Sequence, residues 1–383
     1  MPIDDRPLPA PDAADLDHAH AAAAGAWPHL RGARLLLTGG TGFVGKWLLA
    51  TLLDADRRLG LDVRVGVLSR DPQAFRRAAP HLADPARVEL LRGDVRDFAF
   101  PPGAWSHVVH AATDVAVGAA PLDVFDTCVA GTRRVLDFAV QAGAADVLLV
   151  SSGAVYGRQP SELAALPESY CGALDPGRVA SAYGEGKRAA EWLGAAYGAE
   201  RGLRVRTARC FALIGPYLPL NGHFAAGNFL RDALAGRAIT VRGDGTPQRS
   251  YLHAADMAAW LWATLLLGSA QAVYNVGGAE ALSMAELARR VAAAAGSDAG
   301  VDVLSRPAAG LSADRYVPDV SRIRSQLPLG EPLDLDEALR RSVRWYRQRP
   351  VASWHRRRRR PQARPAPPPG RRAPRRNPFS ETR

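Results

Sequence analysis

An apolar run, Arg34-Leu-Leu-Leu-Thr38, is followed at once by the string TGGTGFVG from Thr38 to Gly45, and an apolar-periodic stretch begins at Phe43. The key glycines, Gly39, Gly42 and Gly45, are spaced GxxGxxG. Glycine permits a tight turn, lets backbone approach a bulky anion, and lets a helix pack closely on the strand before it. The helix that follows offers unbonded N–H groups at its start, which suit phosphate. A strand, this turn and a helix in that order predict the first βα unit of a dinucleotide-binding sheet. Gly39, Thr41, Gly42, Phe43, Val44 and Gly45 are the candidate pyrophosphate contacts.

The chain then alternates. Further strands are expected at 63–69, 88–91, 107–110, 147–151 and 204–209, and helices at 43–53, 123–141 and 182–200. Mostly apolar strands between amphipathic helices predict an α/β fold: a Rossmann-type, doubly wound parallel sheet covered on both faces. This dinucleotide domain, carrying the catalytic residues, is expected over 33–210. Residues 1–32 form an N-terminal lead with a helix at 15–24. Past 210, prolines and glycines break the pattern, so 211–350 is expected to be mostly a smaller α/β substrate lobe over the sheet's C-terminal edge. The Arg/Pro-rich tail, 351–383, is expected to be disordered.

The net charge of +11 does not describe the body of the protein. From Arg347 onward, thirteen arginines face one glutamate, and they account for the whole excess. A near-neutral body with a basic tail does not point to nucleic acid as a partner; only the tail, which lacks interleaved aromatics, has the charge to bind RNA or an anionic surface. Cys128, Cys171 and Cys210 are scattered and odd in number, which fits a reducing compartment and neither a disulfide framework nor a metal site. The N-terminus lacks the basic start and apolar core of a signal peptide. The longest apolar stretch, 257–267, is too short to span a bilayer and reads as a buried helix. A cytoplasmic protein without membrane contact is expected.

At the end of the second strand an acid would bind the ribose of NAD, whereas arginine favours the 2′-phosphate of NADP. Here Ser69 stands at that place and Arg70 follows, so NADP is favoured over NAD, with Asp71 close enough to serve the ribose. Asp94 and Val95 are expected beside the adenine. Tyr183 and Lys187, four apart on a helical stretch, share one face. The ammonium is expected to lower the phenol's pKa and make it a general base. Ser152, at a strand end, is placed to hydrogen-bond a substrate oxygen passing between hydroxyl and carbonyl.

The motifs TGGTGFVG, VVHAA (108–112), SSGAVYG (151–157), YGEGK (183–187) and RSYLHAAD (249–256), in that order, resemble the extended short-chain dehydrogenase/reductases, the NAD-dependent epimerase/dehydratase family. The resemblance runs from about Arg34 to Trp345. It implies that Ala111 and Ala112 line the cofactor channel, beside a helix carrying Gly131 and Thr132. It implies a nucleotide-diphosphate sugar as substrate, its phosphates held by Arg249 and Arg315, and a homodimer formed through helix 182–200. His253 and Asp256 resemble residues near the same loop but read as structural, with Asp256 capping the next helix. Ala212 replaces the family's phosphate-binding asparagine, leaving Asn221 or Asn228 as substitutes. Cys128 replaces an asparagine and Gly186 a serine.

The resemblance also bears on the reaction. Dehydratases of this kind carry Asp-Glu directly after the catalytic hydroxyl residue, and many sugar-acid decarboxylases carry the glutamate; here Gly153 and Ala154 stand there. That pair favours an epimerase or ketosugar reductase acting at C4. The alternatives are a 4,6-dehydratase borrowing Glu162 or Glu168, and a non-catalytic NADP-binding sensor or scaffold.

Overall fold

Leu35, Leu36 and Leu37 are all buried, three residues in a row, so β1 (Arg34–Thr38) is covered on both faces. In the computed structural model, which describes residues 6–113, 118–172, 174–222, 224–307 and 313–348, β1 lies centrally in a seven-stranded sheet. Its partners are β2 (Arg64–Ser69), β3 (Val88–Arg92), β4 (His107–His110), β5 (Asp146–Ser152), β6 (Arg204–Cys210) and a last strand, Val273–Val276. The spatial order is Val273–Val276, β6, β5, β4, β1, β2, β3, and every pairing is parallel. The order reverses between β1 and β4, and open α/β sheets take their ligands outside the strands' C-terminal ends at such a switch point. The expected tail lies outside the described residues.

The helices are α1 (Ala13–Ala22), α2 (Phe43–Leu59), α3 (Pro72–Ala78), α4 (Pro121–Ala142), α5 (Ala182–Arg201), α6 (Ala225–Leu234), α7 (Ala254–Leu267), α8 (Met284–Ala294), α9 (Ser321–Gln326) and α10 (Leu335–Arg347). One face of the sheet packs Leu35 and Leu37 against α1, α2 and α7; the other packs Leu36, Val108 and Leu149 against α4 and α5. α2 runs six residues beyond the expected 53. The acidic residues past that point are buried and paired: Asp54 with Arg58 at 2.6 Å, and Asp56 with Arg87 at 2.9 Å and the Val63 N–H at 3.1 Å. The helix ends instead on Gly60, at φ +57°.

The N-terminal segment belongs to the core. Ala19, Trp27 and Leu30 are fully buried, and α1 packs on α7. Asp256 does not cap α7. His253 occupies the N-cap and its ring accepts the Ala255 N–H at 3.3 Å. Asp256 lies one turn in and fully buried, bonded to His18 Nε2 at 2.6 Å and to the Leu333 N–H at 3.1 Å. Only the chain's return from both ends reveals that role.

The expected apolar helix is α7, buried continuously from Ala254 to Leu265. Among the described residues no helix is long and apolar enough to cross a membrane. α7 and the strand Val273–Val276 return to the main sheet. The rest of the segment after 210 builds short pairings beyond it, among them Gln248–Arg249 with Leu282–Ser283 and with Arg315–Tyr316.

Candidate active site

The three glycines of the turn answer to three different constraints. Gly39 has φ +72°, and a Cβ there would lie 2.5 Å from the Ala111 carbonyl, so the backbone of Ala111 and Ala112 lies directly against the turn. A Cβ on Gly45 would lie 2.2 Å from the Gly39 oxygen, so α2 packs directly on the turn. Gly42 is exposed, and a Cβ there would meet only the Gly39 oxygen, at 3.3 Å. Gly42 is also the N-cap of α2 and supplies no side chain to its free N–H groups. The protein's own packing demands little of Gly42; a ligand approaching the helix start does, and a dinucleotide pyrophosphate fits. Thr41 accepts Lys46 Nζ at 2.7 Å through its carbonyl, while Phe43 and Val44 pack on the core.

The wall beside the turn is held by a buried polar chain. Thr38 Oγ1 bonds His110 Nδ1 at 2.7 Å, and His110 Nε2 bonds Thr132 Oγ1 at 3.0 Å. Burial pushes His110 down to about 3, so the ring is a neutral strut between β1, β4 and α4. Gly131 packs against Val95; a Cβ there would come within 2.9 Å of its methyl. At the end of β2, Ser69 is buried and its Oγ accepts the Asp71 N–H at 3.2 Å. The Asp71 carboxylate caps α3 through Ala74 N at 3.0 Å. Asp94 is gripped by Arg96, at 2.8 Å and 3.1 Å, and this hydrogen-bonded pairing holds its carboxyl below the usual range against the opposing pull of partial burial.

β5 delivers Ser152 to the same edge, where its Oγ accepts the Ala154 N–H at 3.1 Å and caps a short 3-10 helix. The first turn of α5 carries Tyr183, beside Ser152, and one turn on, Lys187. Lys187 Nζ lies 6.0 Å from the Tyr183 ring centre and donates to the Val150 carbonyl at 2.8 Å. The expected acidification of the phenol does not occur at this distance. Burial outweighs everything else and pushes Tyr183 up to about 12, with the nearby Ser152 pulling the other way. Burial likewise lowers Lys187. Beneath the strand end, Glu191 takes the Ser151 hydroxyl and a forked grip from Arg209, at 2.7 Å and 3.1 Å.

The two departures at 128 and 186 face each other. A Cβ on Gly186 would lie 2.8 Å from Cys128 Cβ, so α4 and α5 approach too closely there for serine. Gly186→Ser is expected to destabilise the protein by about 1–3 kcal/mol. Adding Cys128→Ala should not recover it, because alanine keeps the offending Cβ. Denaturant unfolding of the two variants checks this; recovery in the double variant would place the clash at the sulfur.

The substrate side is arranged less simply. Arg249 NH2 pairs with Asp314 at 2.8 Å, and Arg158 stands 4.0 Å from the same carboxylate. The strand register sets Arg315 opposite Gln248 and Tyr316 opposite Arg249. Arg249's neighbour is therefore Tyr316, its ring centre 5.8 Å from the guanidinium. Asn228 bonds the Gly222 carbonyl at 3.1 Å and accepts from Arg231 at 3.0 Å, holding the loop before α6. Glu168 is spent on the Asn275 N–H at 2.8 Å, and Glu162 lies exposed. Sequence reasoning passed over Tyr316 and Arg158; the signal for Tyr316 was its place directly after Arg315.

Residues 35–277 match the NAD dependent epimerase/dehydratase family. The chain belongs to that family. UDP-glucuronic acid decarboxylase 3 of Arabidopsis thaliana is 32% identical over 259 residues, 67% of this chain and 73% of that protein. dTDP-glucose 4,6-dehydratase of Streptomyces griseus is 31% identical over 329 residues, 82% of this chain and 93% of the other. A dTDP-glucose 4,6-dehydratase double mutant from Streptomyces venezuelae, solved with NAD bound, superposes with a TM-score of 0.70 at 30% identity, covering 82% of this chain and 97% of that one. The epimerase/dehydratase chain is thus an enzyme of a family acting on nucleotide sugars with a nicotinamide dinucleotide, and its sheet is the family's Rossmann sheet.

Proposed function

We propose that the protein moves a hydride between a sugar carbon, C4, of a nucleotide-diphosphate sugar and the nicotinamide of NADP, as a 4-epimerase or 4-ketosugar reductase. The observation that carries this reading is the meeting of Ser152, Tyr183 and Lys187 at one sheet edge, with Gly153 and Ala154 directly after Ser152. The turn at Gly39–Gly45 and the start of α2 hold the pyrophosphate, and Arg70 holds the 2′-phosphate. When bound, the nicotinamide accepts or returns the hydride. Tyr183 takes or gives the hydroxyl proton, Ser152 holds the same oxygen, and Lys187 supplies positive charge from the floor of the site. Arg249 and Arg315 serve the diphosphate, which must displace Asp314 from Arg249 to gain a forked grip.

The named relatives favour a second reading, dehydration or decarboxylation. Against it stands the lack of an acid after Ser152, together with the structural use of Glu168. The purified protein is incubated with UDP-, dTDP-, GDP- and CDP-hexoses and with UDP-glucuronic acid, and products are followed by mass. Unchanged mass with altered retention, or loss of two hydrogens matched by reduction of added NADP (the reductase run in reverse), supports the proposal; loss of water or carbon dioxide overturns it.

Arg70→Ala is expected to weaken NADP binding about tenfold or more while leaving NAD unchanged, since a guanidinium–phosphate contact is charge-assisted. Titration calorimetry with both dinucleotides tests this, and equal losses would remove the preference. The reading includes a cytoplasmic homodimer. Leu122, Phe125 and Trp192 stand exposed on α4 and α5, and apolar surface of that kind suits a second copy. The thiols of Cys128, Cys171 and Cys210 are free, which suits a reducing compartment.

A further inference from the structure

Gly153 has no side chain because the space is taken. A Cβ there would lie 2.5 Å from the Tyr316 hydroxyl and 2.7 Å from Phe211 Cζ. Tyr316 reaches this spot through the pairing of Arg315–Tyr316 with Gln248–Arg249, and its ring packs on Phe211 with centroids 4.6 Å apart. One side of the ring lies toward the Arg249 guanidinium, and the hydroxyl end lies at Gly153, next to Ser152. Ser152 lies close enough to both Tyr183 and Tyr316 to lower the pKa of each phenol against the effect of burial.

A nucleotide sugar with its phosphates at Arg249 and its reacting carbon at Ser152 and Tyr183 must lay its ring across the gap between them. Tyr316 stands in that gap, half-buried as a residue. We infer that Tyr316 is a third active-site hydroxyl and a specificity-determining residue: it hydrogen-bonds the sugar beside the reacting carbon and occupies the place from which an acid at residue 153 would act. The inference rests on the reading given under Proposed function. Burial raises the Tyr316 pKa, so its hydroxyl stays protonated at working pH. A neutral phenol can orient a sugar hydroxyl, but it is a poor base for the carbon-bound proton whose removal elimination needs. With this residue in that position, the ketosugar is held until the hydride returns to the same carbon.

The test uses the full chain with NADP(H), a nucleotide sugar that the wild type turns over, and the matching nucleoside diphosphate alone. Tyr316→Phe keeps the ring on Phe211 and loses only the hydroxyl. The expected result is a fall in kcat/KM for the nucleotide sugar of about tenfold or more, the scale of one lost substrate hydrogen bond in a buried site. Affinity for the dinucleotide and for the nucleoside diphosphate should stay unchanged. Wild-type kcat/KM in the variant overturns the inference. So does an equal loss of affinity for the bare nucleoside diphosphate, because a merely structural role would show that pattern. A wild type that transfers no hydride to or from any nucleotide sugar overturns the functional reading itself, and this inference with it.

Discussion

Tyr183→Phe lowers kcat by roughly 10²–10⁴-fold, the range for losing a positioned general acid–base, while dinucleotide affinity stays within about twofold, a change below 0.5 kcal/mol. The expectation follows from the phenol's position: beside Ser152 at the end of β5, one helical turn before Lys187. Phenylalanine keeps the packing and removes the proton carrier. The pH dependence has a definite sign. With its pKa pushed up to about 12, Tyr183 is protonated at neutral pH. Reduction of a carbonyl needs that proton, so its rate should be flat with pH through the neutral range. Oxidation of a hydroxyl needs the phenolate, so its rate should rise with pH until the phenol ionises in the complex. Positive charge near the phenol lowers that ionisation point. Steady-state rates in both directions from pH 6 to about 10, the ordinary phenol value, check this; an oxidation rate that falls with pH would remove Tyr183 as the base.

The three glycines of the turn should separate fold from ligand. Gly39→Ala is expected to cost roughly 2–5 kcal/mol of stability, combining left-handed strain with overpacking. Its backbone sits at φ +72° and the new methyl would meet the Ala111 carbonyl at 2.5 Å. Gly45→Ala presses on the Gly39 oxygen at 2.2 Å and should be as damaging. Gly42→Ala should change stability by less than ~0.5 kcal/mol, as for an exposed surface site, yet weaken the dinucleotide by at least ~tenfold, about 1.4 kcal/mol. Denaturant midpoints and dinucleotide titrations on all three variants make the comparison. If Gly42→Ala binds like the wild type, the helix start is not where the pyrophosphate rests.

These variants also mark how far the chain could be read before folding. The turn was legible because its constraint is local: a strand, three glycines at fixed spacing and a helix are neighbours in sequence. The same holds for Tyr183 and Lys187, which share a helix face by spacing alone. The phenol's acidity was not legible. Proximity of an ammonium argues for a lowered pKa, but burial of the phenol acts in the opposite direction and wins. Burial is a property of everything packed around Tyr183, and no four-residue window contains it. Asp256 illustrates the same limit, since its partners His18 and Leu333 come from opposite ends of the chain.

The order of strands and helices along the chain, the glycine turn and the shared helix face of Tyr183 and Lys187 follow from the sequence alone, because periodicity and short spacings encode them directly. Tertiary structure decided what those residues face. It set Tyr316 rather than Arg315 beside Arg249, filled the space at Gly153 with a phenol from a distant strand, and pressed Gly186 against Cys128. Each of these depends on a strand register or a helix–helix distance set by contacts far apart in the chain, and no local pattern of residue types specifies such a distance.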